Sequence, residues 1–231
     1  MKRSKAAGAA FALAAVLFWI TLVIRWIAGD GALMAAEMLA AAPPERTGLA
    51  AEEYPAVGSL TAAFLTGTGR FQMVRAGANG EEIQYFHDYE EAHMEDVRGL
   101  IRLDTAVMRV ALAAAALLLA TGILLRDARA FGRGILWGLG ILLAVLAAFL
   151  VWALADFEGL FVTFHRVAFT NDGWLLDSRT DLLIRLMPES FFIRLGIRGL
   201  MRALAMPAAL AAAAGILLRK RKNTVTDGQK R

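Results

Sequence analysis

The sequence predicts an all-α membrane protein, with four transmembrane helices and two extracytoplasmic segments forming a helical cap. Three observations predict it. The chain is 58% hydrophobic over 231 residues, and its mean hydropathy is +0.53. Four near-uncharged runs stand out, roughly Ala6–Ala28, Thr105–Leu125, Phe131–Ala155 and Gly199–Leu218. Each is close to the ~20 residues a helix needs to cross about 30 Å of hydrocarbon. A helix satisfies its own backbone groups where no water is present to do so. The whole chain, 1–231, reads as one integral membrane domain.

The first run follows Lys2, Arg3 and Lys5. A basic start before an apolar tract also fits a cleaved signal peptide, and cleavage-like alanine triplets follow. The tract, however, exceeds the ~7–15 residues of a signal core, which favours a retained span. The second and third runs are joined by "RDARAFGR", with Arg126, Arg129 and Arg133. The fourth is followed by "RKRKNTVTDGQKR", with Arg219, Lys220, Arg221 and Lys222. Dense basic residues at span ends mark the cytoplasmic side, so both termini are expected inside. The segment 156–198 opposes this with Arg166, Arg179, Arg185, Arg194 and Arg198; the density at the span ends decides for N-in and C-in. A basic tail can bind nucleic acid, but here a membrane stop signal accounts for it and no nucleic-acid partner is expected. In the third run Gly132, Gly134, Gly138 and Gly140 are expected to allow close helix packing.

The outer segments are about 29–104 and 156–198. In the first, "PPERTG" breaks the chain, and Thr47 is expected to cap a helix through "LAAEEYPAVGSLTAAFL" that Pro55 interrupts. "TGTG" and "GANG" are turn signals. "EEIQYFHDYEEAHMEDVRGLIRLDTA" is expected to be one helix leading into the second span, with Tyr89, His93, Asp96 and Leu100 on one face. Residues 81–96 hold seven acids and no Lys or Arg, together with His87 and His93. Carboxylates nearby raise a histidine pKa and burial lowers it. Asp96, three residues after His93, is placed to orient its imidazole. A solvated acidic helix with incidental histidines explains the same pattern.

In the second outer segment, Phe157, Phe161, Phe164 and Ala168 form an apolar face at helical spacing, which packing or an interfacial aromatic belt would explain. His165 and Arg166 interrupt it. "TNDG" is a turn signal before Trp174. "DSRTDLLIRLMPESFFIRLGIR" mixes basic and apolar residues around Pro188, as an amphipathic or re-entrant piece at the bilayer surface would. It could floor a groove through which lipid reaches a site, or simply lie among headgroups.

The absence of cysteine excludes thiol nucleophiles, thiolate metal sites and disulfides. No serine sits in G-x-S-x-G, and there is neither a P-loop nor a Rossmann fingerprint. A metal held by His87, His93, Asp96 and His165 remains conceivable, but no HExxH or comparable ligand spacing supports it. From the residues alone a membrane enzyme, such as an acyl hydrolase, and a non-catalytic membrane adaptor stand about level.

Residues that carry a resemblance are "EEAHMEDV", then "FHRVAFTNDGWLLD" and "TDLLIRLMPESFF", with four spans around them. In this combination the chain, from span one through Phe192, resembles the bacterial lipoprotein intramolecular transacylases. The Ala-rich stretches and the "AAEMLAAAPPERTG" insert depart from the pattern. The resemblance implies a bacterial cytoplasmic-membrane enzyme that works on its outer face. It would act on diacylglyceryl-modified lipoproteins among the membrane lipids. The sn-2 acyl chain would pass from glycerol to the α-amine of the lipoprotein's N-terminal cysteine, leaving the N-acyl, S-monoacylglyceryl (lyso) form. It implies two essential histidines, matching His93 and His165 here; His87 falls outside the motif. Asp96 and Asp172 are candidates to orient imidazoles, and Arg166, Asn171 and Trp174 to supply hydrogen bonds to substrate. No cofactor and no metal enter this reading.

Overall fold

The computed structural model describes residues 1–67, 69–76 and 81–219. "GANG" and the tail residues Lys220, Arg221 and Lys222 lie outside them. Among the described residues there are ten α-helices and one two-stranded antiparallel sheet. The helices are α1 (Lys2–Ala28), α2 (Gly31–Ala41), α3 (Pro44–Thr47), α4 (Tyr54–Thr66), α5 (Asp88–Leu124), α6 (Ala128–Ala155), α7 (Phe157–Ala168), α8 (Leu182–Leu186), α9 (Glu189–Ala203) and α10 (Ala205–Arg219). Strands β1 (Val74–Ala76) and β2 (Glu82–Gln84) pair with Arg75 opposite Ile83. Four helical stretches are long and apolar enough to cross a membrane: α1, α5, α6 and α9 with α10. This is the predicted all-α membrane architecture.

The residues cluster into two compact units. One contains residues 1–22, 106–155 and, as far as it is described, 201–219. Its core is small: Ala7, Ala12, Ala15, Val16, Ala115, Phe131, Ile135, Leu210 and Ala214. Small residues let helix backbones approach closely, which in lipid replaces the missing hydrophobic drive between helices. A Cβ on Gly134 would lie 2.0 Å from the Lys5 carbonyl oxygen, and one on Gly138 2.7 Å from that of Ala9, so α6 meets α1 nearly backbone to backbone. Gly132 faces α10 instead, where a Cβ would lie 3.3 Å from the Ala214 oxygen. A Cβ on Gly140 would meet no neighbouring atom within 4 Å, so its lack of a side chain serves no packing contact.

The other unit contains residues 23–105 and 156–200, the segments between the apolar stretches with the adjoining helix ends. Its core gathers Met34, Met38, Tyr54, Val57, Phe64, Phe71, Phe86, Met94, Leu182, Leu183, Leu186 and Phe191. Phe71 packs between Phe64 and Phe86 with tilted rings, centroids 5.4 and 4.6 Å away. α2 packs along α4, where Gly58 lets the Gly31 carbonyl come within 2.4 Å of the missing Cβ. The "TNDG" turn and the break at Pro188 bracket α8, as expected.

Two local expectations are corrected. Residues 81–87 are not helical: 82–84 pair with β1, and α5 begins at Asp88. Glu90 sets that start by accepting the His87 N–H at 2.7 Å, half of a capping box. Thr47 does not cap the following helix. It ends α3, accepts the Leu49 N–H at 3.2 Å and shares a 2.7 Å hydrogen bond with the Tyr54 hydroxyl. Pro55 sits in the first turn of α4, where its missing N–H costs nothing, and so interrupts no helix.

The glycine geometry separates two positions on one helix. Gly134→Val should destabilise the protein by at least the roughly 1–3 kcal/mol of an overpacked core, whereas Gly140→Val should leave it within about 0.5 kcal/mol. Thermal unfolding of each variant in detergent measures the difference.

Candidate active site

Within the unit of residues 23–105 and 156–200, α5 and α7 bring two histidines together. His93 lies in the second turn of α5, well before the apolar stretch from Thr105 onward. His165 lies in the last turn of α7. α7 forms because Asp156 caps it, accepting the Gly159 N–H at 2.8 Å. It ends where the Phe169 N–H returns to the His165 carbonyl at 2.9 Å. Chain segments 72 positions apart thus place the two imidazole centroids 6.1 Å apart, with planes inclined 29°.

An aromatic wall surrounds His165. Phe161, Phe164, Phe169 and Trp174 have centroids 4.1, 5.3, 5.5 and 5.1 Å from its ring. Phe169 also meets His93 edge-on at 5.2 Å. Both histidines are buried, His93 8% and His165 7% exposed. Burial therefore decides their protonation against the acidic neighbourhood. It pushes the His93 pKa down to about 4, assisted by the charge of His165 and opposed by Asp96. Burial also lowers the His165 pKa, opposed by the bond to the Phe161 carbonyl. Both rings are neutral near pH 7.

Their tautomers follow from their partners. His165 Nδ1 lies 2.7 Å from the Phe161 carbonyl oxygen, which can only accept, so Nδ1 carries the proton and Nε2 presents a lone pair. His93 Nδ1 is buried with no hydrogen-bond partner. A stranded N–H costs more than a stranded lone pair, which assigns the His93 proton to Nε2. The pair therefore offers one base and one donor.

Asp96, on the same helix as His93, accepts a hydrogen bond from Asn171 Nδ2 at 2.9 Å. The Asn171 side chain also takes the Gly173 N–H at 2.9 Å. This clasp fastens the turn that carries Trp174 onto α5. Arg166 and Asp172 are exposed. The Asp172 main chain supports the turn by accepting the Leu175 N–H at 3.0 Å. Neither side chain makes a hydrogen bond or ion pair with an imidazole. Among the described residues no group of three or more His, Cys, Asp or Glu is placed to hold a metal ion.

Three buried or half-buried contributors were not singled out from sequence. Glu90 is fully buried and accepts the N–H of His87 and that of Leu183, each at 2.7 Å. Asp181 accepts from the Tyr89 hydroxyl and the Thr180 hydroxyl, each at 2.6 Å, and from the Asp177 N–H at 2.7 Å. Phe169 touches both imidazoles. Its position four residues after His165, as Phe161 is four before, was the available signal.

The family profile of the lipoprotein intramolecular transacylase Lit matches residues 9–192. No curated protein sequence matches. Among solved structures, the membrane-integral Lit of Bacillus cereus is similar over 95% of this chain and 94% of its own, with 20% identity and a TM-score of 0.67. Two forms of it carrying single histidine substitutions are 18% identical, with TM-scores of 0.68. They cover 97% and 96% of this chain and 95% and 96% of theirs. With a profile match over most of its length, this chain belongs to the Lit family of lipoprotein intramolecular transacylases, which are integral membrane acyltransferases.

Proposed function

We propose that His165 is the proton shuttle and His93 a hydrogen-bond donor in transfer of the sn-2 acyl chain of a diacylglyceryl-modified lipoprotein to its N-terminal cysteine amine. The observation that carries this is the pair of neutral, buried, oppositely prepared imidazoles 6.1 Å apart.

Donor ester and acceptor amine belong to one molecule, so holding them together supplies much of the rate. The α-ammonium, with a pKa near ~8, first gives up a proton. His165 Nε2 takes the proton of the attacking amine as its nitrogen bonds to the ester carbonyl carbon. The carbonyl oxygen becomes an oxyanion, which accepts from His93 Nε2–H and from the Trp174 indole N–H. As the tetrahedral centre collapses, the carbon–oxygen bond to glycerol breaks, and the His165 imidazolium returns the proton to the departing oxygen. The products are an amide and a free glycerol hydroxyl, with His165 neutral again. No covalent enzyme intermediate is required, which agrees with the lack of a nucleophile motif.

Asp96 and Asn171 act by holding the turn under Trp174. Arg166 and Asp172, exposed beside this wall, are available to the polar part of the bound lipopeptide. The burial of both rings disfavours water as acyl acceptor and so a simple hydrolase. Basic residues at the inner span ends, Lys2, Arg3, Lys5, Arg126 and Arg129, support a topology with both termini in the cytoplasm. The site then works at the outer leaflet, where acylated lipoproteins and membrane lipids meet it.

His93→Ala and His165→Ala should each lower lyso-lipoprotein formation at least about a hundredfold. The assay is mass spectrometry of a lipoprotein's N-terminal peptide from a bacterium lacking its own N-acyltransferase. Normal N-acylation in either variant removes that histidine from the chemistry, and release of free fatty acid instead of amide identifies a hydrolase.

Because burial depresses both histidine pKa values, the acid limb of the rate should lie below the ordinary imidazole value of about 6.5. The same shift carries a stability consequence. His93 contributes stability that is present above about pH 6.5, its unfolded value, and lost as pH falls toward about 4. The loss is on the order of 3 kcal/mol. Unfolding between pH 7 and pH 4 in detergent, compared with His93→Gln, isolates it.

Asp96→Ala and Asn171→Ala should each cost roughly tenfold in rate, about 1.4 kcal/mol. The double variant should be no worse than either single one, since both remove one clasp; additive losses would assign the two residues separate roles.

A further inference from the structure

The strands β1 and β2 are three residues long and exposed throughout, so they add little to the core. Their hydrogen bonding leaves one edge open. The Tyr85 N–H bonds the Met73 carbonyl at 2.9 Å, which makes Met73–Tyr85 and, two places on, Arg75–Ile83 the bonded pairs of the ladder. The N–H and C=O groups of Glu82 and Gln84 therefore point away from β1. Among the described residues nothing pairs with them. An unpaired strand edge is a template for another strand.

Beside this edge lies a cavity of about 130 Å³. Three consecutive residues, Ile83 to Tyr85, line it, against Arg75 alone from β1, so it sits on the open side of β2. Leu49 and Leu182 add apolar wall, and Arg185 of α8 adds a second guanidinium. The volume is below the ~300–1,000 Å³ of small-molecule sites, so it suits one side chain of a longer ligand. Arg185 commits only Nε, to the Asp181 carbonyl at 3.2 Å. Arg75 lies over the Tyr85 ring, 5.8 Å from its centroid, and among the described residues it makes no hydrogen bond or ion pair. The neighbouring carboxylates are already engaged. Glu53 takes the Tyr85 hydroxyl and the Ala50 N–H, and Asp181 takes the Tyr89 and Thr180 hydroxyls and the Asp177 N–H. Glu82 follows the alternation of the pleat to the face opposite Arg75 and Ile83.

We propose, resting on the reading that a lipoprotein reacts at the imidazole pair, that this edge and cavity bind the polypeptide following the substrate's acylated cysteine. The peptide adds as a third strand along β2, and an acidic side chain enters the cavity between Arg75 and Arg185. The reach is short. Leu183, next to Leu182, is bonded to Glu90, and His93 follows Glu90 by one turn. That route is no longer than about 18 Å, which roughly five extended residues span. Main-chain bonds read no particular sequence, so the edge accepts varied lipoproteins, while the two arginines favour an acid near the point of entry.

The test uses the full-length protein in detergent and synthetic lipopeptides that share one diacylglyceryl cysteine. One ends at the cysteine. The others carry a peptide long enough to reach the cavity, with aspartates, serines or lysines at the positions of entry, and a fourth repeats the aspartate peptide with alternate backbone nitrogens methylated. Rates of N-acyl product formation give KM and kcat for each. The aspartate peptide should have a KM about tenfold below the serine and lysine peptides and the bare cysteine. N-methylation should remove that advantage by blocking strand pairing, and so should Arg75→Gln/Arg185→Gln by removing the charge. Product formed with equal KM from every lipopeptide overturns the proposal alone, as does an undiminished advantage after N-methylation or in the glutamine variant. No amide product from any lipopeptide overturns the transacylase reading and the peptide site with it. Loss of the advantage in inorganic phosphate at the concentration of the lipopeptide overturns the peptide assignment in favour of a free anion. If the glutamine variant does not fold, the wild-type comparison of aspartate, serine and N-methylated peptides decides.

Discussion

Glu90 gives up all contact with solvent to hold two backbone N–H groups, that of His87 at the start of α5 and that of Leu183 in α8, 93 positions away. Burial raises its pKa, and the two N–H groups draw it back down. A carboxylate stripped of water needs these donors, so the two segments are fixed to one another by the cost of leaving it unpaired. Everything at the site follows from that fastening. His93 comes one helical turn later. Asp181 and Tyr89 repeat the linkage beside it, and the Asp96–Asn171 clasp continues it to the turn carrying Trp174.

The result is a site in which desolvation outweighs charge. An acidic stretch of sequence would ordinarily keep histidines protonated, yet four of its seven carboxylates are engaged elsewhere. Glu90 and Asp96 are engaged with N–H donors, Glu91 with Arg70 at 3.1 Å and Glu95 with Arg98. The faces left to the imidazoles are aromatic. A neutral ring with one nitrogen committed to a carbonyl is a base without needing a carboxylate partner, and this distinguishes the arrangement from a Ser-His-Asp triad. The chemistry of a Lit-family enzyme suits it, since the nucleophile arrives with the substrate.

The two units use opposite packing materials for the same reason. Residues 1–22, 106–155 and 201–219 are held by alanine and glycine contacts, because lipid offers no hydrophobic drive and only close approach yields dispersion energy. Residues 23–105 and 156–200 instead bury Phe, Met, Leu and Tyr, together with paired carboxylates.

The sequence by itself determined the helical membrane class and the four apolar stretches, and its resemblance singled out two histidines as candidates. Hydropathy and motif spacing are properties of neighbouring residues and need no partner. It misplaced the start of α5, because 82–84 become a strand only when Val74–Ala76 pairs with them, and it overstated Gly140, whose neighbours depend on helix rotation. Only the tertiary structure decided that the segments 29–104 and 156–198 converge, that Asp96 bonds Asn171 while its charge still acts on His93, that His165 Nδ1 meets a carbonyl and His93 Nδ1 no partner, and that Glu37 meets Arg194 and Arg198. Each of these depends on which distant group fills the space beside a buried polar atom, and that is settled by packing the whole unit rather than by local pattern.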